Sequence, residues 1–238
     1  MKAMIDSLVS DYGLKIFEEG ILMIKAVIFD MDGVIVDTEP IYYERLHEFF
    51  KVNGIHPALE ELDKIAGSSS TDTWEAIQRI WGKTLDKNKY EQDYNDYFKD
   101  RPVANNEILD SDIKKLLDWL TKEQYQIALA SSSSMKEIQK VLEECKLEQY
   151  FESILSGDRF EQSKPNPEIY FKSAAQLNVK PEECLVIEDS TYGIIAAKDA
   201  GMYVLAKRDD RFNFNQNLSH KIIDRLTDAI TELQELNS

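Results

Sequence analysis

The chain has 238 residues, of which 43% are hydrophobic and 30% charged, and its formal net charge is −16. That length supplies one large or two small globular domains, and so acidic a balance excludes a nucleic-acid binder, which needs a basic face. Two cysteines, Cys145 and Cys184, make neither a disulfide framework nor a zinc motif. They read as buried thiols, compatible with a reducing cytoplasm. No apolar run reaches the ~20 residues that cross a membrane, and no signal peptide is evident, so the expectation is a cytoplasmic protein without a membrane partner.

Residues 1–22 read as an N-terminal extension with interrupted helical periodicity, and Met23 is a candidate start. Next comes Lys25–Asp37, KAVIFDMDGVIVD. Ala26, Val27, Ile28 and Phe29 form a short apolar run that predicts a strand buried on both faces. Asp30 stands where that strand runs out, Asp32 lies on the loop beyond, and Gly33 supports a sharp turn. Residues two apart return to the same side of a strand, so both acids can approach one site. A bare pair of this kind is also what a solvated acidic turn looks like, and the decision rests on the remaining chain.

Residues 38–105 change character, with dense aromatics and charges and no strand patterns. Helices are predicted over Glu39–Asn53, with Pro40 in the first turn and Gly54 after the end, and over Leu59–Ile65. After the loop Gly67-Ser68-Ser69-Ser70, a third helix is capped by Thr71 or Asp72 and runs to Trp81, before Gly82. A fourth spans Asn88–Lys99. This is a helical module inserted after the first strand.

From Leu109 helices and strands alternate. Helices are predicted through Thr121 with Ser111 as the cap, and for Lys136–Cys145, Pro167–Leu177, Thr191–Ala200 and Leu226–Leu236. Strands are predicted for Tyr125–Ala130, Ser153–Leu155, Cys184–Ile187 and Tyr203–Ala206. Alternation implies an α/β core, a parallel sheet with helices on both faces, built from residues 23–37 and 106–238.

In such a sheet the strand ends lie along one edge. They carry Asp30 and Asp32, then Ser131 and Ser132, then Glu188 and Asp189. Lys164 stands at a helix entrance in Ser163-Lys164-Pro165-Asn166-Pro167. Taken singly, Ser131 is a strand terminator, Lys164 a solvated cation and Glu188-Asp189 a helix-capping pair. Taken together they can do chemistry. Carboxylates hold Mg²⁺ and leave positions for phosphate oxygens. A hydroxyl with backbone N–H groups binds phosphate, and a lysine neutralises the transferring group. One aspartate can be a nucleophile and a second an acid, then a base. His47, His56 and His220 suggest no Ser-His-Asp arrangement, and no phosphate-binding glycine fingerprint is present.

The motifs DMDGVIVDTEP (Asp30–Pro40), ALASSS (Ala128–Ser133), SKPNPEIY (Ser163–Tyr170) and IEDSTYGIIAAKDAG (Ile187–Gly201) resemble those of haloacid dehalogenase-superfamily phosphohydrolases, in the β-phosphoglucomutase-like subgroup. The resemblance implies a Rossmann-like parallel sheet with an inserted all-α cap over residues 38–105. It implies Asp30 as nucleophile, Asp32 as general acid/base, Ser131 and Ser132 as phosphate contacts, and Lys164 as the bridge between Asp30 and phosphate. It places Mg²⁺ on Asp30, the Asp32 carbonyl and Asp189, with Glu188 direct or through water. The cap would close over the substrate, with Gly67, Ser68, Ser69 and Ser70 contacting the leaving group. Mutases of the subgroup carry a histidine where Tyr42 stands and an arginine where Ser70 stands. These departures favour water as acceptor, hence a phosphatase of a small phosphorylated metabolite, a sugar phosphate foremost. A phosphosugar mutase is the alternative, a silent binding module the third reading, and a monomer the default state.

Overall fold

Ala26, Val27, Ile28 and Phe29 have no solvent exposure at all, and they form β1 (Ala26–Phe29) at the centre of a six-stranded sheet. The computed structural model describes residues 23–62, 65 and 70–238. The expected N-terminal extension and Gly67, Ser68 and Ser69 lie outside the described residues, as does the side chain of Ser70. The other strands are β2 (Gln126–Ser131), β3 (Ser153–Ser156), β4 (Cys184–Glu188), β5 (Tyr203–Lys207) and β6 (Lys221–Ile223). Their order is β3-β2-β1-β4-β5-β6, and every neighbouring pair is parallel.

Side chains alternate across β1. Val27 and Phe29 pack with Leu116, Leu129, Ile138 and Leu233 on one face, while Ala26 and Ile28 pack with Tyr170, Val186 and Ile194 on the other. The first face is covered by α5 (Ile113–Lys122), α6 (Met135–Cys145) and α9 (Asp228–Leu236), the second by α7 (Glu168–Gln176) and α8 (Thr191–Asp199). Phe29 pairs with Leu129 on β2 and with Ile187 on β4. The next residue along, Asp30, therefore emerges between the ends of those two strands, where the strand order reverses and open α/β sheets form a crevice.

Between β1 and β2 lie α1 (Glu39–Val52), α2 (Leu59–Leu62), α3 (Ser70–Trp81) and α4 (Lys87–Phe98). They have their own apolar cluster of Phe50, Leu62, Ile65, Ala76 and Ile77. The ring of Phe49 meets those of Trp81, Tyr90, Tyr94, Tyr97 and Phe98, so most of this aromatic richness is helix packing. The two crossings between this unit and the sheet run side by side. Asp37 N–H donates to Ile108 O and Asp110 N–H to Ile35 O, each at 2.9 Å.

Most expected elements differ from the observed ones by one or two residues at their ends. The second helix is described over Leu59–Leu62, with residues 63 and 64 outside the described residues, and α5 begins at Ile113 with Asp112 rather than Ser111 at its N-cap. Strand β6 has no counterpart in the sequence reading. It is a three-residue edge strand with one buried side chain, too short to show an apolar period. Among the described residues, no helix is long and apolar enough to cross a membrane.

Candidate active site

Lys164 is the hub of the crevice. Its Nζ lies 2.6 Å from Asp30 Oδ1, 2.7 Å from Glu188 Oε1 and 3.0 Å from the Ala130 carbonyl, so three acceptors use its three donors. Lys164 is 6% exposed and its Lys164–Pro165 bond is cis. Tyr170, from α7, donates its hydroxyl to Glu188 Oε1 at 2.9 Å, and its ring centre is 5.0 Å from the ammonium. Glu188 Oε2 accepts from the N–H groups of Asp189 and Ser190 and from the Ser190 hydroxyl.

Ligand oxygens of Asp30, Glu188 and Asp189 lie within 4.8 Å of one another, and all three residues are buried. Asp189 Oδ2 is a buried oxygen with no hydrogen-bond partner. Two glycines make room for this cluster. A Cβ on Gly33, whose φ is +77°, would sit 2.0 Å from Asp189 Oδ2, and one on Gly193 would sit 1.7 Å from Glu188 Oε1. Burial pushes the Asp30 and Asp189 carboxyls well above the usual carboxylate range. Lys164 opposes the shift at Asp30, whereas at Asp189 the charges of Glu188 and Asp30 reinforce it. Burial also works against the Glu188 carboxylate, but the Lys164 charge and hydrogen bonds outweigh it and hold Glu188 low. Three buried carboxylates against one ammonium, with one oxygen orphaned, fit a hard divalent cation with oxygen ligands, as Mg²⁺ is.

Asp32 is held differently. Thr38 Oγ1 donates to its Oδ1 at 2.7 Å and Ser133 Oγ to its Oδ2 at 2.6 Å. Burial raises its pKa, and these two hydrogen bonds lower it in part. Its side chain stands outside the three-carboxylate cluster.

The serine run after β2 divides its labour. Ser131 is wholly buried and its Oγ accepts the N–H of Ser133 at 3.0 Å, which shapes the turn. Ser132, Ser133 and Ser134 line the cavity above the carboxylates. That cavity, about 590 Å³, is walled by Asp30, Asp32, Lys164, Glu188 and Asp189 at its floor and by Glu39, Tyr42 and Trp74 from the helical unit. The structure thus brings Asp30, Asp32, Ser132, Lys164, Glu188, Asp189 and Tyr42 to one cavity, with Ser131 beneath it. Ser133, Thr38 and Tyr170 were not singled out from sequence. All three sit inside the motifs, but nothing in a loop, a serine run or an amphipathic helix tells which hydroxyl meets a carboxylate.

The sequence profile of the haloacid dehalogenase-like hydrolases matches residues 27–207. The chain is a haloacid dehalogenase-like hydrolase. A phosphorylated carbohydrates phosphatase of Thermotoga maritima is 33% identical to this hydrolase over 75% of the chain and 82% of that protein. A β-phosphoglucomutase of Bacillus subtilis is 31% identical over 76% of the chain and 82% of its own length. The crystal structure of a β-phosphoglucomutase from Clostridium difficile superposes on the hydrolase with a TM-score of 0.75 at 25% identity, covering 90% of this chain and 97% of that one.

Proposed function

We propose that this hydrolase is a Mg²⁺-dependent phosphatase that cleaves a small phosphorylated metabolite, a sugar phosphate foremost, through an aspartyl-phosphate on Asp30. The observation that carries this reading is the different setting of two neighbouring aspartates. Asp30 is ion-paired to Lys164 beside the carboxylate cluster, whereas Asp32 is held by two hydroxyls apart from it. A pair set apart in this way supports a division between nucleophile and acid/base.

In the first half-reaction a carboxylate oxygen of Asp30 attacks phosphorus, and Asp32 gives its proton to the departing ester oxygen. In the second, Asp32 takes a proton from water, the oxygen attacks phosphorus, and free phosphate leaves with Asp30 restored. Burial favours the protonated Asp32 that the first step needs. Lys164 stays charged beside Asp30 and neutralises the transferring group. Ser132, on the cavity wall, and the turn that Ser131 supports would hold phosphoryl oxygens. Mg²⁺, held by Asp30, Asp189, the Asp32 carbonyl and Glu188, would supply the positive charge that the phosphoryl group lacks. Residues 38–105 act as a cap on the paired crossings, and its closure excludes bulk water. The protein works as a cytoplasmic monomer in this reading.

The test is phosphate release from a panel of sugar phosphates, nucleotides and phosphoglycolate with Mg²⁺, for the wild type and for Asp30→Asn. Release by the wild type alone supports the reading, and an active Asp30→Asn variant sinks the nucleophile. The likeness to β-phosphoglucomutases supports the second reading, a mutase. It requires conversion of β-glucose 1-phosphate to glucose 6-phosphate with a bisphosphate primer and little free phosphate.

A further inference from the structure

The cavity changes character away from the catalytic carboxylates. Its cap half is lined by Glu39, Glu91, Glu137 and Asp158, acids that also border the catalytic half, and, among the described residues, by no lysine, arginine or histidine. Lys87 lines only the catalytic half, is more than half exposed, and stands 3.9 Å from Glu91. Two of the four acids are fixed in place. Glu137 Oε2 accepts from the backbone and hydroxyl of Ser134, and Asp158 Oδ2 accepts the N–H of Met135. The rest of the wall is mostly apolar or aromatic, with Leu46, Ile77 and Tyr94 among its residues, beside the uncharged polar Thr73, Asn95 and Ser134. The hydroxyl of Tyr90, another lining residue, is buried with no hydrogen-bond partner.

We propose that the cap half of this cavity selects the leaving group by charge, accepting a hydroxylated group that is neutral or carries an ammonium and rejecting a second phosphate or a carboxylate. The inference rests on the phosphatase reading and names the substrate class within it. Carboxylate oxygens accept hydrogen bonds from sugar hydroxyls and from ammonium, and aromatic walls cover the C–H faces of a sugar. The unpartnered Tyr90 hydroxyl gains a partner when a polar group arrives. Among the described residues a second anion finds acids instead, Glu137 and Asp158 fixed in place, and no cation to pair with, a repulsive element of the kind that specificity needs. The phosphate being cleaved escapes this penalty because Lys164 stands at its end of the cavity. The reaction itself is unchanged: water is consumed, the P–O ester bond breaks, and an alcohol and phosphate are released.

The experiment compares kcat/KM, with Mg²⁺, for p-nitrophenyl phosphate, glucose 6-phosphate, glucosamine 6-phosphate, 6-phosphogluconate and fructose 1,6-bisphosphate. Glucosamine 6-phosphate is expected to match or exceed glucose 6-phosphate, and the two esters with a second anionic group to fall at least about tenfold below it. The gap should shrink at about 0.5 M salt, where charge interactions are screened, and shrink again in Asp158→Asn. Equal or faster cleavage of the esters with a second anionic group overturns the proposal. If p-nitrophenyl phosphate is cleaved without discrimination among the sugar esters, charge selection fails and the phosphatase reading stands. If none of the five is cleaved, the phosphatase reading fails first and takes this inference with it.

Discussion

Thr38 Oγ1 donates a 2.7 Å hydrogen bond to Asp32 Oδ1, so the residue that opens the first helix of the inserted unit also holds a carboxylate of the crevice. Thr38 is 2% exposed and sits on the crossing that pairs with Ile108 and Leu109. A change in the placement of the helical unit is therefore felt at Asp32. Thr38→Val keeps the shape and removes the donor. A hydrogen bond to a charged group contributes about 1.5–3 kcal/mol, so kcat is expected to fall roughly 10- to 100-fold with a smaller change in KM. Steady-state kinetics on the best ester of the panel decides this, and an unchanged kcat removes Thr38 from the machinery.

Lys164 is the only cation touching Asp30 and Glu188 among the described residues. Lys164→Met leaves buried carboxylates without a counter-charge, which costs about 3–5 kcal/mol. Chemical denaturation in the presence of a chelator should show this loss. Added Mg²⁺ should recover part of it, and a variant as stable as the wild type under chelation would show that the cluster does not need the ammonium.

Asp189 offers an orphaned buried oxygen, and binding of a cation satisfies it. Mg²⁺ at about 100 times its Kd should stabilise the folded protein by ~2.7 kcal/mol, visible as a raised Tm that a chelator reverses. Asp189→Asn should abolish the rise. A Tm indifferent to Mg²⁺ in the wild type would remove the metal from this cluster, independently of any activity assay.

Gly193→Ala tests the space that Glu188 occupies, since the new Cβ would stand 1.7 Å from Oε1. The carboxylate has to leave its hydrogen bonds with Lys164 and Tyr170. The variant is expected to lose both the Mg²⁺-dependent rise in Tm and most activity, while circular dichroism keeps the helical signal. Normal kinetics in this variant would mean that Glu188 can move without consequence.

Glu39 lines both halves of the cavity, and burial, with the charges of Asp32 and Asp209, pushes its carboxyl from 4.5 up to about 7. The folded chain therefore binds a proton here more tightly than the unfolded chain does. The contribution to stability is fully present below about pH 4.5 and is lost as pH rises through 7. Wild type should lose about 1–2 kcal/mol relative to Glu39→Gln between pH 5 and 8, an amount that allows for partial exposure. Denaturation midpoints of the two proteins across that range check the sign, and parallel curves would place Glu39 in contact with water.

The fold was legible because its central strands are apolar runs bounded by polar residues. Ala26–Phe29 and Cys184–Ile187 could only be buried on both faces, and helices between such runs require parallel pairing. Asp30, Lys164, Glu188 and Asp189 were legible because each sits at a strand end or helix entrance. The division of labour among Ser131, Ser132 and Ser133 was not. Four consecutive serines have no periodicity, and the pleat of β2 with a tight turn decides that one hydroxyl caps the turn while another reaches Asp32. The edge strand β6 was hidden for a related reason, since only its ladder to Leu205, Ala206 and Lys207 makes it a strand.

The sequence by itself determined the α/β alternation, the helical insertion and the set of acids with one lysine, since these follow from apolar period and residue chemistry. Only the tertiary structure decided how those groups share their bonds. Lys164 reaches Asp30 across 134 positions of chain and Ser133 reaches Asp32 across 101, and no local pattern encodes contacts over such separations. The acidic lining of the cap half likewise comes from Glu39 and Glu91 of the insertion meeting Glu137 and Asp158 of the core. Chain folding sets that field of charge, because residues scattered through the sequence become neighbours only when the two units close on one cavity.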